Sequence, residues 1–170
     1  MPLILVNGAS DMFLKIEGVD GESADSDHKD WIEVLSFSQS VSKPVTWSGT
    51  GRYSGGTTFK EITTRKWIDK ASPILMSSVC GGKVFPKVEL QVRRDSLGTP
   101  NNQTYFTYTL SDVLISSASM SGSSGETERP TESVSFNFTK IEMKYQEVDK
   151  LTGATVFGTN ATCTVGNSTP

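Results

Sequence analysis

Residues 133–146 read Ser-Val-Ser-Phe-Asn-Phe-Thr-Lys-Ile-Glu-Met-Lys-Tyr-Gln, and this stretch restricts the fold more than any other. Val134, Phe136 and Phe138 alternate with polar residues; the apolar phase then slips by one position and continues through Ile141, Met143 and Tyr145. Period two is the pattern of a strand with one wet and one buried face, and a one-residue slip is what a β-bulge produces. The spacing predicts one long strand bent in its middle.

The same period recurs along the chain. Met12 to Glu17 forms a short strand ending in Gly18 and Gly21. In 31–38, Trp31, Glu33, Leu35 and Phe37 fall on one face and Ile32, Val34, Ser36 and Ser38 on the other, so both faces are partly covered. A Thr- and Ile-rich strand ends near Asp69. In 83–95, Val84, Val88, Leu90 and Val92 point inward, with Lys87, Glu89, Gln91 and Arg93 outward. Residues 105–120 supply one long or two consecutive strands. The tail after 148 is small and polar, with one apolar spot at Val156 and Phe157.

One helix interrupts the strands. Ser72 is suited to cap it, Pro73 fits its first turn, and Gly81 or Gly82 fits a left-handed stop. Its apolar residues Ile74, Leu75, Met76, Val79 and Cys80 cover most of its circumference, which predicts packing on several sides. The expected fold is mainly β: a compact β-barrel of two packed antiparallel sheets, or a sandwich, with one short α-helix plugging or flanking it, in a single domain spanning 1–170. Its expected parts are a leader 1–10, a core 11–147, an extended loop 39–57 and a polar tail 148–170.

Residues 39–57 are Gly- and Ser-rich yet carry Trp47 and Tyr53. Loops of more than about 12–15 residues in compact domains are usually functional or disordered. The aromatics point to a docking surface.

Chemistry is harder to find. His28 is the one histidine, and Ser23, Asp25 and His28 are too close in sequence to converge as a triad; hydrogen bonding within the turn is the expected role. Residues 25–36 fail the EF-hand pattern, since Asp30 stands where Gly is required and Ser36 where Glu is. No phosphate-binding loop occurs. The expectation is no catalytic residue, no metal and no cofactor. Sixteen basic against 19 acidic residues give a net charge of -3 and no electrostatic reason for nucleic acid binding. Cys80 and Cys163 match no metal or disulfide framework and are expected to be reduced. The apolar run Leu3–Val6 is too short for a secretory signal, and no window reaches the roughly 20 apolar residues of a membrane helix. Synthesis in the cytoplasm is expected, with any export by a route that cuts nothing off, and with no membrane partner.

Three blocks, 21–38 (GESADSDHKDWIEVLSFS), 66–90 (KWIDKASPILMSSVCGGKVFPKVEL) and 110–146 (LSDVLISSASMSGSSGETERPTESVSFNFTKIEMKYQ), make the chain resemble the haemolysin-coregulated proteins, Hcp, of the bacterial type VI secretion system. The resemblance covers 11 to about 147. The leader MPLILVNGAS is longer than the few residues expected before the Asp-Met-Phe strand, and the tail matches loosely. What it implies is a homohexameric ring of small barrels, stacked into a hollow inner tube that a contractile sheath drives, behind a spike protein, into a target cell. No enzymatic activity is implied. By the same resemblance, loop 39–57 reaches the adjacent ring, with Lys43, Val45, Trp47, Arg52 and Tyr53 as stacking residues. Strand 31–38 helps form the pore wall, with Ser36 and Ser38 as contacts for small secreted effectors. The long bent strand would then serve its own core with one segment and a neighbouring barrel with the other. Two other readings are a tail-tube subunit of a phage or other contractile injection particle, and a carbohydrate-binding β-sandwich in which Trp47 and Tyr53 line a concave site.

Overall fold

The computed structural model describes residues 10–94, 103–125, 129–148 and 155–165. In chain order the elements are β1 (Ser10–Ile16), β2 (Ile32–Ser38), β3 (Val41–Ser42), β4 (Val45–Ser48), β5 (Gly51–Ser54), β6 (Thr58–Phe59) and β7 (Ile62–Trp67). They continue with α1 (Ser72–Gly81), β8 (Val84–Arg94), β9 (Gln103–Ser121), β10 (Thr131–Asn137), β11 (Lys140–Val148) and β12 (Thr155–Thr164).

All pairings are antiparallel. β1, β2, β7, β10, β9 and β8 pair in that order, and β8 returns to β1, so six strands close into a barrel with no free edge between them. The 19-residue β9 makes this closure possible. Its second half pairs with β10 through Ile115–Phe136 and Ser117–Ser135, and its first half pairs with β11 through Leu110–Ile141 and Tyr108–Met143. β12 is added outside β11.

The long strand expected over 133–146 is two strands. The phase slip is real, since Val134, Phe136, Phe138 and Ile141 are all buried. It is made by a break at Phe138–Thr139 rather than by a bulge, with the Thr139 N–H donating to Ser111 O. The bulge in this region lies on the partner: the register shifts beside Ser135/Phe136, which leaves Ser116 of β9 as the extra residue.

Other expectations are corrected in the same way. The β2 alternation holds for Ile32 and Val34, but a register shift against β7 between Val34 and Ser36 moves the inward phase to Phe37 and leaves Leu35 exposed. In β8 the inward residue at the start is Phe85, not Val84; Val84 pairs on the outside with Leu114, and the phase slips across Pro86 before Val88. Arg93 does point outward from the barrel, yet it is 4% exposed because residues 20–31 fold over it as a strap. The tail forms β12, paired with β11 from Cys163–Ile141 to Phe157–Glu147.

The helix spans the expected residues and stops at Gly82, whose φ of 62° is the left-handed conformation that glycine tolerates. Its start differs. Ala71 is the cap residue, and Ser72 is already helical. The Ala71 N–H is satisfied instead by the Asp69 Oδ1 atom at 2.9 Å. The helix packs on one side only, against β9: Leu75 is buried, whereas Ile74 and Cys80 are exposed. Cys80 and Cys163 are both free thiols.

Candidate assembly surface

Residues 39–57 are not an irregular loop. β3 and β6 form a short ladder (Val41–Phe59, Ser42–Thr58), and β4 and β5 form a hairpin (Val45–Ser54, Thr46–Tyr53, Trp47–Arg52, Ser48–Gly51) around Gly49–Thr50. The two ladders are joined where Gly55 N–H donates to Pro44 O at 2.8 Å. A Cβ on Gly55 would stand 2.8 Å from Pro44 Cγ, so a glycine suits this close approach. The signal missed in the sequence is the alternation Val45, Trp47 against Arg52, Ser54, hidden by the surrounding Gly and Ser.

Strand geometry sorts the five candidate stacking residues. Residues directly opposite share a face, and neighbours along a strand alternate. Val45, Trp47 and Arg52 therefore lie on one face of the ribbon, and Tyr53 lies on the other with Thr46. Lys43 sits between the two ladders and is exposed. Trp47 is 79% exposed. Because Trp47 and Tyr53 project from opposite faces, they do not line one concave carbohydrate site. Ser36 and Ser38 are both exposed on β2, beyond the bulge.

Two charge networks brace the barrel that carries this surface. Lys66 of β7 and Glu132 of β10 stand directly opposite in register and both point inward. Lys66 Nζ donates to Glu132 Oε1 at 2.5 Å, to Asp69 Oδ1 and Trp67 O at 2.8 Å, and to Ser72 Oγ at 3.3 Å. Ser72 in turn donates to Glu132 Oε1. The cluster thus ties two barrel strands to the first residue of α1, which is where the Ser72 hydroxyl goes in place of capping.

The second network fastens the strap 20–31 to the outside of β8. Arg93 grips Asp25 with both terminal nitrogens, at 3.0 and 2.7 Å, and its guanidinium lies over the Phe13 ring at 4.8 Å. Asp25 Oδ1 also accepts from the backbone N–H groups of Asp27 and His28. His28 stacks on Phe13 at 4.3 Å, with Nδ1 facing Asp25 and Nε2 facing Gln91 Oε1 at 2.7 Å. Burial pushes the Asp25 carboxyl up, but hydrogen bonds from Arg93, His28 and the Asp27 amide outweigh it and hold the pKa at about 2. Ser23 Oγ accepts the Asp25 N–H, so Ser23, Asp25 and His28 hydrogen-bond within the turn as expected, and Asp25 and His28 reach β8 as well. Among the described residues, no group of three His, Cys, Asp or Glu side chains is placed to hold a metal.

Comparison with known proteins agrees with this architecture. The family model described as "Type VI secretion system effector, Hcp" matches residues 13–145. Protein hcp1 of Pseudomonas aeruginosa is 39% identical over 139 residues, covering 81% of this chain and 84% of that protein. Among solved structures, a type six secretion system protein superposes with a TM-score of 0.80 at 29% identity, covering 89% of this chain and 94% of its own. Hcp1 from Salmonella typhimurium superposes with a TM-score of 0.73 at 30% identity, covering 92% and 95%. The chain belongs to the Hcp family of type VI secretion proteins, a structural family and not one of enzymes.

Proposed function

We propose that this chain is a single-domain subunit of the type VI inner tube, in which six copies close a ring and rings stack through the hairpin 39–57. The observation that carries the reading, beyond family membership, is that hairpin. An isolated two-stranded ribbon is marginal in water, yet this one holds Trp47 and Val45 out on one face and Tyr53 on the other, each more than half exposed. An adjacent ring is the partner that such a projection fits. Contacts between two different patches of one subunit close into rings or run on as filaments, and a stacked tube uses both.

In this reading Lys43, Val45, Trp47, Arg52 and Tyr53 contact the next ring. The exposed hydroxyls of Ser36 and Ser38 face a wet channel that carries small effectors. The sheath surrounds the tube, the spike protein caps it, and the subunit leaves its cell by the same apparatus. Negative-stain images of purified protein should show rings, and deleting residues 44–55 should keep the rings while weakening their stacking. Light scattering that shows only monomer across the micromolar range would overturn the ring. Unfolding of the deletion variant would show that the hairpin is part of the fold and not an attachment to it.

A further inference from the structure

A cleft of about 430 Å³ opens on the outer wall of the barrel, where β1, β2 and β7 meet the strap 20–31. Its apolar lining includes Leu35 and Trp67, and its charged lining is Asp11, Asp25, Glu33 and Arg93. Three carboxylates against one guanidinium make the cleft acidic. Arg93 engages two of them, Asp25 at 2.7 Å and Asp11 at 3.6 Å. The Glu33 carboxylate is exposed and has no partner among the described residues. The Nε of Arg93, a side chain 4% exposed, has none there either. One free carboxylate and one free N–H donor thus stand in the same apolar recess.

The chain carries the complement elsewhere. Residues 39–60 include three basic residues, Lys43, Arg52 and Lys60, and no acidic one. Trp47 and Arg52 stand directly opposite each other in β4 and β5, so they share a face with their Cβ atoms about 5 Å apart. Trp47 is 79% exposed, and the Arg52 guanidinium has no partner among the described residues. Buried Trp and Arg anchors carry much of the energy of interfaces, and Arg grips a carboxylate through two parallel hydrogen bonds. Glu33 and Leu35 project from one side of β2 about 7 Å apart, offering a carboxylate to Arg52 and an apolar contact to Trp47 at once. The exposed apolar pair Val84 and Leu114 is a poorer match, since Lys83 stands beside it and the nearby Asp112 already accepts from Thr139. Within one copy the two halves stay apart, because Trp47 is bare and Glu33 unpaired.

We infer that this cleft receives the hairpin of a second copy, with Trp47 against Leu35 and Trp67, Arg52 on Glu33, and a hairpin carbonyl accepting from the Arg93 Nε. The inference rests on the stacking proposed above and names the surface that the hairpin meets. Hairpin and cleft are different patches, so each copy offers both and the contact continues from ring to ring.

The test is a charge exchange in the full chain, read by sedimentation of stacked rings at fixed concentration, with light scattering to follow the single ring. Glu33→Arg and Arg52→Glu should each weaken ring-to-ring association about tenfold or more, because like charges then face each other, and the double variant should recover most of the loss. Single variants that stack like wild type, or a double variant no better than either, would overturn the cleft and leave stacking in place. Wild-type rings that never stack would remove the stacking reading and the cleft with it. A second measurement covers variants that lose the ring. Preformed rings with p-benzoylphenylalanine at position 47 are mixed with heavy-nitrogen wild-type rings and irradiated, and light-to-heavy cross-links at residues 33–35 or at Trp67 are expected. Light-to-heavy cross-links elsewhere, cross-links within one label only, or none at all would overturn the cleft.

Discussion

Replacing Lys66 by Met should be the most damaging single change of similar size in the barrel. Lys66 is 0% exposed, and its ammonium neutralises Glu132, itself 1% exposed. After Lys66→Met the Glu132 carboxylate keeps only the Ser72 hydroxyl, and Oε2 already has no partner among the described residues. Removing one member of a buried ion pair costs about 3–5 kcal/mol because the other charge is left uncompensated. For a chain of this length about 2–4 °C is lost per kcal/mol, so the melting temperature should fall by roughly 6–20 °C. Glu132→Leu should cost less, since Lys66 retains Asp69 and the Trp67 carbonyl. The double variant Lys66→Met/Glu132→Leu should be more stable than Lys66→Met alone, because both charges then leave together. Urea unfolding followed by circular dichroism, at one fixed protein concentration to hold any assembly constant, supplies the comparison. A loss under about 1 kcal/mol for Lys66→Met, or a larger loss for Glu132→Leu, would refute the account of charge compensation.

Asp25→Asn should flatten acid unfolding: a carboxyl at about 2 when folded, against 3.8 as its ordinary value, contributes stability above pH 4 that is lost as pH falls toward 2. The difference corresponds to about 2 kcal/mol, and pH-dependent unfolding of wild type and variant should diverge in that window, with Glu89, also lowered by Lys87 and Gln91 against its burial, leaving a residual slope. Gly21→Ala should loosen the strap, since its Cβ would lie 2.3 Å from Trp31 O, and a loss of about 1–3 kcal/mol with faster amide exchange over 20–31 is expected; an unchanged melting temperature contradicts the packing argument. Trp47→Ser should leave stability within about 0.5 kcal/mol while shortening tubes seen by electron microscopy, and a destabilised barrel would show that the ribbon packs against it.

The alternation of apolar residues revealed most of the barrel strands, and its failures have physical causes. Period two predicts which way a side chain points but not what covers it. Arg93 points outward as expected and is buried because a distant segment folds across it. Lys66 and Glu132 were legible by the same rule: Ile62, Thr64 and Lys66 share a face, as do Glu132, Val134 and Phe136, and all six are buried. Their charge argued against an inward place, and only their cross-strand register reveals that each compensates the other. The hairpin's short alternation of Val45 and Trp47 is hidden among Gly and Ser, and β12 is built mostly of small polar residues that pair through their backbone with β11, so it leaves no apolar period to read. The candidate stacking residues lie in a segment whose aromatics were visible from the sequence, but their division between two faces required the register.

The break at Phe138–Thr139 has a mechanical consequence. One covalent run of chain passes from the closed barrel in β10 to the outer flap in β11, and β9 spans both regions without interruption. Tension applied to the flap along its strands therefore loads many backbone hydrogen bonds in shear at once, instead of peeling them singly. The junction between the outer layer and the body therefore resists tearing along the strands better than a ladder opened from one end.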